Sequence, residues 1–247
     1  MTILEVCLDD IDGAAAAERA GAERIELCAA LDRGGITPSL GTVASVLVSV
    51  ETLTVMVLVR QREGDFVYSE AEVDAMVTDV HAMRELPRPD GVRLGFVIGA
   101  LTPEGVVDER ATRRLLSACG DHSVTFHKAF DTTVDLSASL ETLVRLGIPR
   151  VLTSGGAASV LEGSAALAGL VTQSAGRIAI LAGGGVREHN ARRILEETGV
   201  AELHFRAPQQ VVSPGHQGAA SVLYDSGTRT VTSPELVRSI RDAVTPQ

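Results

Sequence analysis

Two short stretches place carboxylates and thiols at the same spacing. "ILEVC" (3–7) carries Glu5 and Cys7, and "GAERIELC" (21–28) carries Glu26 and Cys28. Each stretch reads as a buried strand, on which side chains two residues apart share a face. A carboxylate inside an apolar run is costly to bury without a partner. It belongs where it meets a cation, a ligand or water, and there it serves as a general base. Arg60, His127 and His204 close three further apolar runs, with Lys128 directly after His127 and Glu202 two residues before His204. Together these residues suggest acid–base chemistry on a small anion. Glu5 or Glu26 would be the base, His127 the proton shuttle, and Arg60 or Lys128 the group that stabilises developing negative charge. The simpler reading of the thiols is packing, because free cysteine is among the most buried residue types.

Two glycine-rich turns add a candidate anion site. "RVLTSGGAAS" (150–159) and "ILAGGGVREHNA" (180–191) each read as a strand, a glycine turn and a helix start. Glycines let backbone N–H groups approach an anion, and a helix N-terminus favours negative charge. Thr153, Ser154, Gly155 and Gly156 on one turn, and Gly183, Gly184 and Gly185 on the other, are therefore expected to bind a phosphate or carboxylate, with His204 beside them. Arg62, in "VRQREGDFVYS" (59–69), is a further candidate for gripping an anion.

The elements that must position these groups alternate along the chain. Short apolar runs at 3–7, 24–28, 53–60, 92–98, 123–127, 150–153, 177–182 and 201–205 are separated by helical stretches with capping signals. Asp10 or Asp12 is expected to cap the first helix, and Thr37-Pro38 to start the second with proline at its first position. Ser69 with Glu72 forms a capping box, Asp135 and Gly147 bracket a later helix, and Ser233-Pro234 opens the last. Strand–helix units repeated eight times predict an α/β fold, a (β/α)8 TIM barrel spanning 1–247 as one domain. Polar residues at its strand C-termini build the site. An open doubly wound sheet usually carries G-x-G-x-x-G after its first strand, whereas this chain reads "CLDDIDGA".

Composition bounds the function. The 247 residues are 45% hydrophobic and only 3% aromatic, with no Trp, so Ala, Val, Leu and Gly fill the core. A net charge of −10 argues against a nucleic-acid partner. No apolar run reaches the length of a membrane span, and the amino-terminal residues lack a basic leader, so no membrane partner is expected. Cys7, Cys28 and Cys119 are odd in number and far apart, which suggests a reducing, cytoplasmic location. No organic cofactor motif is evident.

Read together, "LEVC", "GAERIELC" with "GGITPSLG", "EGDF", "TFHKAFD", "RVLTSGG" and "AGGGV" resemble the CutC family of copper homeostasis proteins over nearly the whole chain. The resemblance implies a TIM barrel, a cytoplasmic location, a homodimer or larger homo-oligomer, and binding of Cu(I), with Cys7 and Cys28 as the metal ligands. The chain departs from the family pattern at Gln61 and Glu63, at Lys128, and over 206–221. Two functions therefore stand side by side: a copper-binding protein, or a TIM-barrel enzyme (isomerase, lyase or hydrolase) acting on a small anionic metabolite.

Overall fold

The computed structural model describes residues 2–215 and 225–245. Eight parallel strands close into a barrel in sequence order: β1 (Ile3–Leu8), β2 (Arg24–Leu27), β3 (Thr54–Leu58), β4 (Arg93–Ile98), β5 (Ser123–Phe126), β6 (Arg150–Thr153), β7 (Ala179–Gly183) and β8 (Glu202–Phe205), with β8 pairing back onto β1. The expected TIM barrel is present, and each strand lies within two residues of its predicted ends. Around it stand α1 (Ile11–Ala20), α2 (Leu40–Ser49), α3 (Glu70–Arg84), α4 (Glu109–Cys119), α5 (Leu136–Leu146), α6 (Ser164–Ser174), α7 (Ala191–Thr198) and α8 (Pro234–Val244). Among the described residues no helix is long and apolar enough to cross a membrane.

The period of two along each strand divides the core. Leu4, Val6, Leu8, Ile25, Leu27, Val55 and Val57 pack outward into the large cluster beneath the helices. Cys7, Cys28, Met56, Leu58 and Val97 form a separate cluster inside the tube. The alternation that parallel strands impose thus sets both acid–thiol pairs toward the lumen. Close approach is needed at one point of the wall: a Cβ on Gly99 would lie 2.4 Å from the His127 ring, so glycine on the neighbouring strand end makes room for that imidazole.

Helix capping follows the sequence at three of five places. Ser69 and Glu72 make the reciprocal capping box of α3, Asp135 caps α5 with Gly147 in the left-handed conformation at its end, and Ser233 caps α8 ahead of Pro234. At α1, Asp10 occupies the cap position, but its carboxylate turns away to accept from Thr232 N. At α2 the cap is Ser39 and the helix begins at Leu40, so Pro38 precedes the helix instead of opening it. A hairpin that no apolar run announces follows the barrel, β9 (Pro208–Val212) against β10 (Thr228–Thr232), antiparallel and largely exposed. It occupies part of the divergent 206–221 stretch, of which 216–221 lie outside the described residues.

Candidate functional site

Inside the barrel the charged side chains sit in layers. At the lower layer Arg24 pairs with Glu5 and with Glu202, and Glu202 in turn accepts from Arg150 Nε at 2.7 Å. Register explains the contact, because Glu5 lies directly opposite Arg24 on one side and His204 on the other. His204 Nδ1 donates to Glu5 Oε1 at 2.7 Å and stands 3.9 Å from Glu26 Oε2. Above this layer the two thiols face one another, Cys7 Sγ to Cys28 Sγ 3.9 Å, and Cys28 donates to Glu26 Oε1 at 3.3 Å. The second oxygen of Glu26 is buried without a hydrogen-bond partner.

These surroundings set the protonation states. Burial would raise the Glu5 carboxyl, but the Arg24 charge and the His204 hydrogen bond outweigh it and hold Glu5 at about 2. Burial, reinforced by charge at Cys7, pushes Glu26 up to about 8. The Cys28 hydrogen bond leads the causes that bring Cys7 down to about 6 against burial, with His204 adding to it. Burial and the Cys7 contact push Cys28 well above the usual thiol range. Burial disfavours the His204 imidazolium, yet its hydrogen bonds to Cys7 and Glu5 raise its proton affinity well above the usual value.

A hollow of about 220 Å³ opens over the thiols at the strand C-termini, with Cys7, Glu26, Phe66, His127, Lys128 and Arg206 among its lining. A wider hollow of about 830 Å³ lies at the opposite end of the tube, lined by residues such as Arg24, Arg93 and Ser123. It holds no thiol, and none of its side chains is a buried polar group without a partner among the described residues. The smaller hollow is the one with unmet chemistry, and it is at the end where barrels of this kind build their sites.

Several expected roles change on contact with the geometry. Glu5 is fully buried with both oxygens engaged, so it does not serve as a base; Glu26 is the acid with capacity to spare. His127 is buried, and burial followed by the Arg60 charge brings it down to about 3, so it is a neutral hydrogen-bond donor instead of a proton shuttle. Arg60 lines the hollow, but its terminal nitrogens donate to the carbonyls of Gly34, Gly35 and Gly64 while its plane lies 4.9 Å over Phe66. It ties two loops together. Arg62 is outside the hollow, paired with Glu72 at 2.6 Å and with Asp65 at 3.1 Å.

The glycine turn after β6 does bind an anion, but that anion is the protein's own Asp131. Its carboxylate accepts from Ser154 N and Gly156 N, each at 3.0 Å, and from the Thr153 hydroxyl, while Gly155 N donates to Thr153 Oγ1. Lys128 completes this cluster, 3.1 Å from Asp131 Oδ2 and 2.6 Å from Ser154 Oγ. The expected external anion site at Thr153–Gly156 is therefore filled from within. Gly183, Gly184 and Gly185 do not line the hollow either. Gly183 leaves room for the His204 ring, which a Cβ there would meet at 3.0 Å, and the carbonyls of Gly184 and Gly185 accept from Val160 N and Asn190 Nδ2.

Five contributors went unnoticed in the sequence: Arg24, Arg150, Asp131, Phe66 and Arg206. Arg24 and Arg206 carried a readable signal, since each lies two residues from a lumen-facing group, Glu26 and His204. Asp131 comes from a short 3-10 turn after β5 and Phe66 from the loop after β3, where periodicity says nothing. Cys119 is buried at the end of α4, and burial pushes it up to about 12, as a packing residue would be.

Sequence and structural comparisons agree with this architecture. The CutC family model matches residues 2–208. A CutC family protein of Mesorhizobium japonicum is 46% identical, covering 86% of this chain and 80% of its own length. The human copper homeostasis protein cutC homolog is 44% identical, covering 83% of this chain and 73% of its own. A CutC crystal structure from Streptococcus agalactiae superposes with a TM-score of 0.75 at 33% identity, covering 83% of this chain and 98% of its own. With the family model spanning all eight strands and both acid–thiol pairs, this chain belongs to the CutC family.

Proposed function

We propose that this protein binds Cu(I) as cargo at the barrel mouth, through Cys7 and Cys28, and acts in copper homeostasis. The observation that carries the reading is the thiol pair itself, two buried sulfurs 3.9 Å apart on neighbouring strands with both side chains inside the tube. Thiolates are the donors that soft Cu(I) prefers. The donor set also fits in number: Cys7, Glu26 and Cys28 present ligand atoms within 4.8 Å of one another, and Glu26 keeps an oxygen without a partner.

The local electrostatics suit a thiolate ligand. The Cys28 hydrogen bond and the neighbouring His204 favour loss of the Cys7 proton near neutrality, whereas Cys28 must lose its proton to join the metal. Copper uptake is therefore expected to release protons and to strengthen with rising pH. Met56, Leu58 and Val97 pack beside the thiols and give the site an apolar wall. The human relative is named a copper homeostasis protein, which agrees with this cargo, and the reducing cytoplasm is the compartment in which both thiols stay free.

The test is an anaerobic Cu(I) titration against a competing chelator. Wild-type protein is expected to take up one Cu(I) per chain, and Cys7→Ser with Cys28→Ser is expected to abolish it. Uptake unchanged in that double variant overturns the reading.

A further inference from the structure

We propose that the hollow above the thiols is a binding site for a small oxyanion, a metabolite bearing a carboxylate or phosphate group, which His127 and Arg206 hold by its oxygens. The proposal does not depend on copper. Its first support is the orientation of His127. Nδ1 accepts a hydrogen bond from Ala129 N at 3.1 Å, so the proton of the neutral ring resides on Nε2. That N–H is buried, has no partner, and belongs to a side chain that is 5% exposed and lines the hollow. A buried donor left unmade costs free energy, and such a group in a cleft needs an acceptor. Among the described residues none supplies it.

The second support is charge. Arg206 lines the same hollow and makes no ion pair or side-chain hydrogen bond among the described residues. Its guanidinium, a fork matched to carboxylate and phosphate oxygens, is available. Lys128 adds a cation to the rim, paired with Asp131 at 3.1 Å. Glu26 is the one carboxyl in the lining, so the balance of the hollow is positive in a chain whose net charge is −10. The retained cations therefore do not follow from the composition of the protein as a whole.

The third support is shape. Phe66, Leu31 and Leu152 give one side of the hollow an apolar face, and Phe66 is held there by the His127 ring at 4.9 Å and by Arg60. At about 220 Å³ the space is below the usual range for drug-sized ligands, roughly 300–1,000 Å³. It suits an acid of a few carbons with one apolar edge. The glycine turn after β6 is closed by Asp131; the open oxyanion position is one strand earlier, at the end of β5, facing the end of β8.

The experiment is calorimetric titration of copper-free protein with malonate and, separately, with inorganic phosphate, together with nitrogen NMR of the His127 ring. At least one probe is expected to bind wild-type protein, to shift the His127 Nε2 resonance, and to bind Arg206→Gln at least about tenfold more weakly. Because the titrated protein is copper-free, oxyanion binding is read independently of copper uptake, which separates this inference from the copper reading. If malonate separates from phosphate, the stronger probe names the ligand class. Absence of binding by both probes at millimolar concentration, an unmoved His127 resonance, or undiminished binding to Arg206→Gln each overturns the proposal.

Discussion

Glu5 and Glu26 stand in the same Glu-x-Cys pattern on neighbouring strands, and the barrel treats them in opposite ways. Glu5 has Arg24 and His204 as its direct cross-strand partners, so both of its oxygens are taken and its proton is held off to about 2. Glu26 lies opposite Cys7 and Met56, one layer higher, where no cation is in register. It keeps one oxygen without a partner, and burial pushes it up to about 8. A stagger of two residues between β1 and β2 separates a structural ion pair from a group with chemistry left to do. The local sequence is the same in both; the register of the neighbours decides.

Glu5→Gln is the most direct test of this contrast. Glu5→Gln leaves Arg24 and the His204 imidazolium partly uncompensated inside the tube. Removing one partner of a buried pair in this way is expected to cost about 3–5 kcal/mol, read by denaturant unfolding at neutral pH. A loss below about 1 kcal/mol, the net worth of an ordinary hydrogen bond, would show that Glu5 is not the anchor of the lower layer. Acid gives the same contrast without mutation. The folded-state affinity of Glu5 for protons is depressed from 4.5 to about 2, so its contribution is full above pH 4.5 and is lost as the pH falls through about 2. Wild-type stability should decline over that window, and the decline should be shallower in Glu5→Gln.

The thiols sharpen the same contrast. Cys7 is brought down to about 6 and touches the hollow, whereas Cys28 is 1% exposed and pushed well above the usual range. Alkylation of metal-free protein by iodoacetamide at neutral pH should modify Cys7 at least about tenfold faster than Cys28, because the thiolate is the nucleophile. Peptide mapping at early times reads the ratio. Equal rates would mean that the two strands present their thiols alike.

Much of this was legible in the chain, and the division has a physical cause. The strands were readable because parallel strands buried on both faces leave continuous apolar runs, as in "TVMVL" and "RLGFVI". The inward direction of Glu5, Cys7, Glu26 and Cys28 followed from the period of two. The fate of Glu5 did not, because it depends on Arg24 and on His204, a residue 199 positions away. The anion turn after β6 was recognised for its chemistry, yet its occupant, Asp131, comes from a different loop. Arg62 looked like a ligand-gripping arginine in "RQREGDF", and only the folded loop shows Glu72 claiming it. Local pattern reports which face a side chain occupies; it does not report who else arrives there.

The smallest expected effect at a fixed pH is that of Glu26→Gln near pH 5, and the contrast is sharp because the effect grows as the pH rises. Near pH 5 the folded protein keeps Glu26 protonated, so Glu26→Gln replaces one neutral group by another of the same shape. Gln Oε1 can still accept from Cys28, as Glu26 Oε1 does at 3.3 Å. Stability there should differ from wild type by no more than about 1 kcal/mol. Above the unfolded value of 4.5 the wild-type unfolded chain gives up this proton while the folded chain retains it until about 8. The unfolded state then binds fewer protons, so wild-type stability falls with rising pH over that window. Glutamine has no such proton, and the variant should therefore become progressively more stable than wild type from pH 4.5 to 8, levelling beyond. A parallel pair of stability curves would mean that the His204 imidazolium, 3.9 Å from Glu26 Oε2, keeps Glu26 ionised, and the distinction between the two acids would collapse.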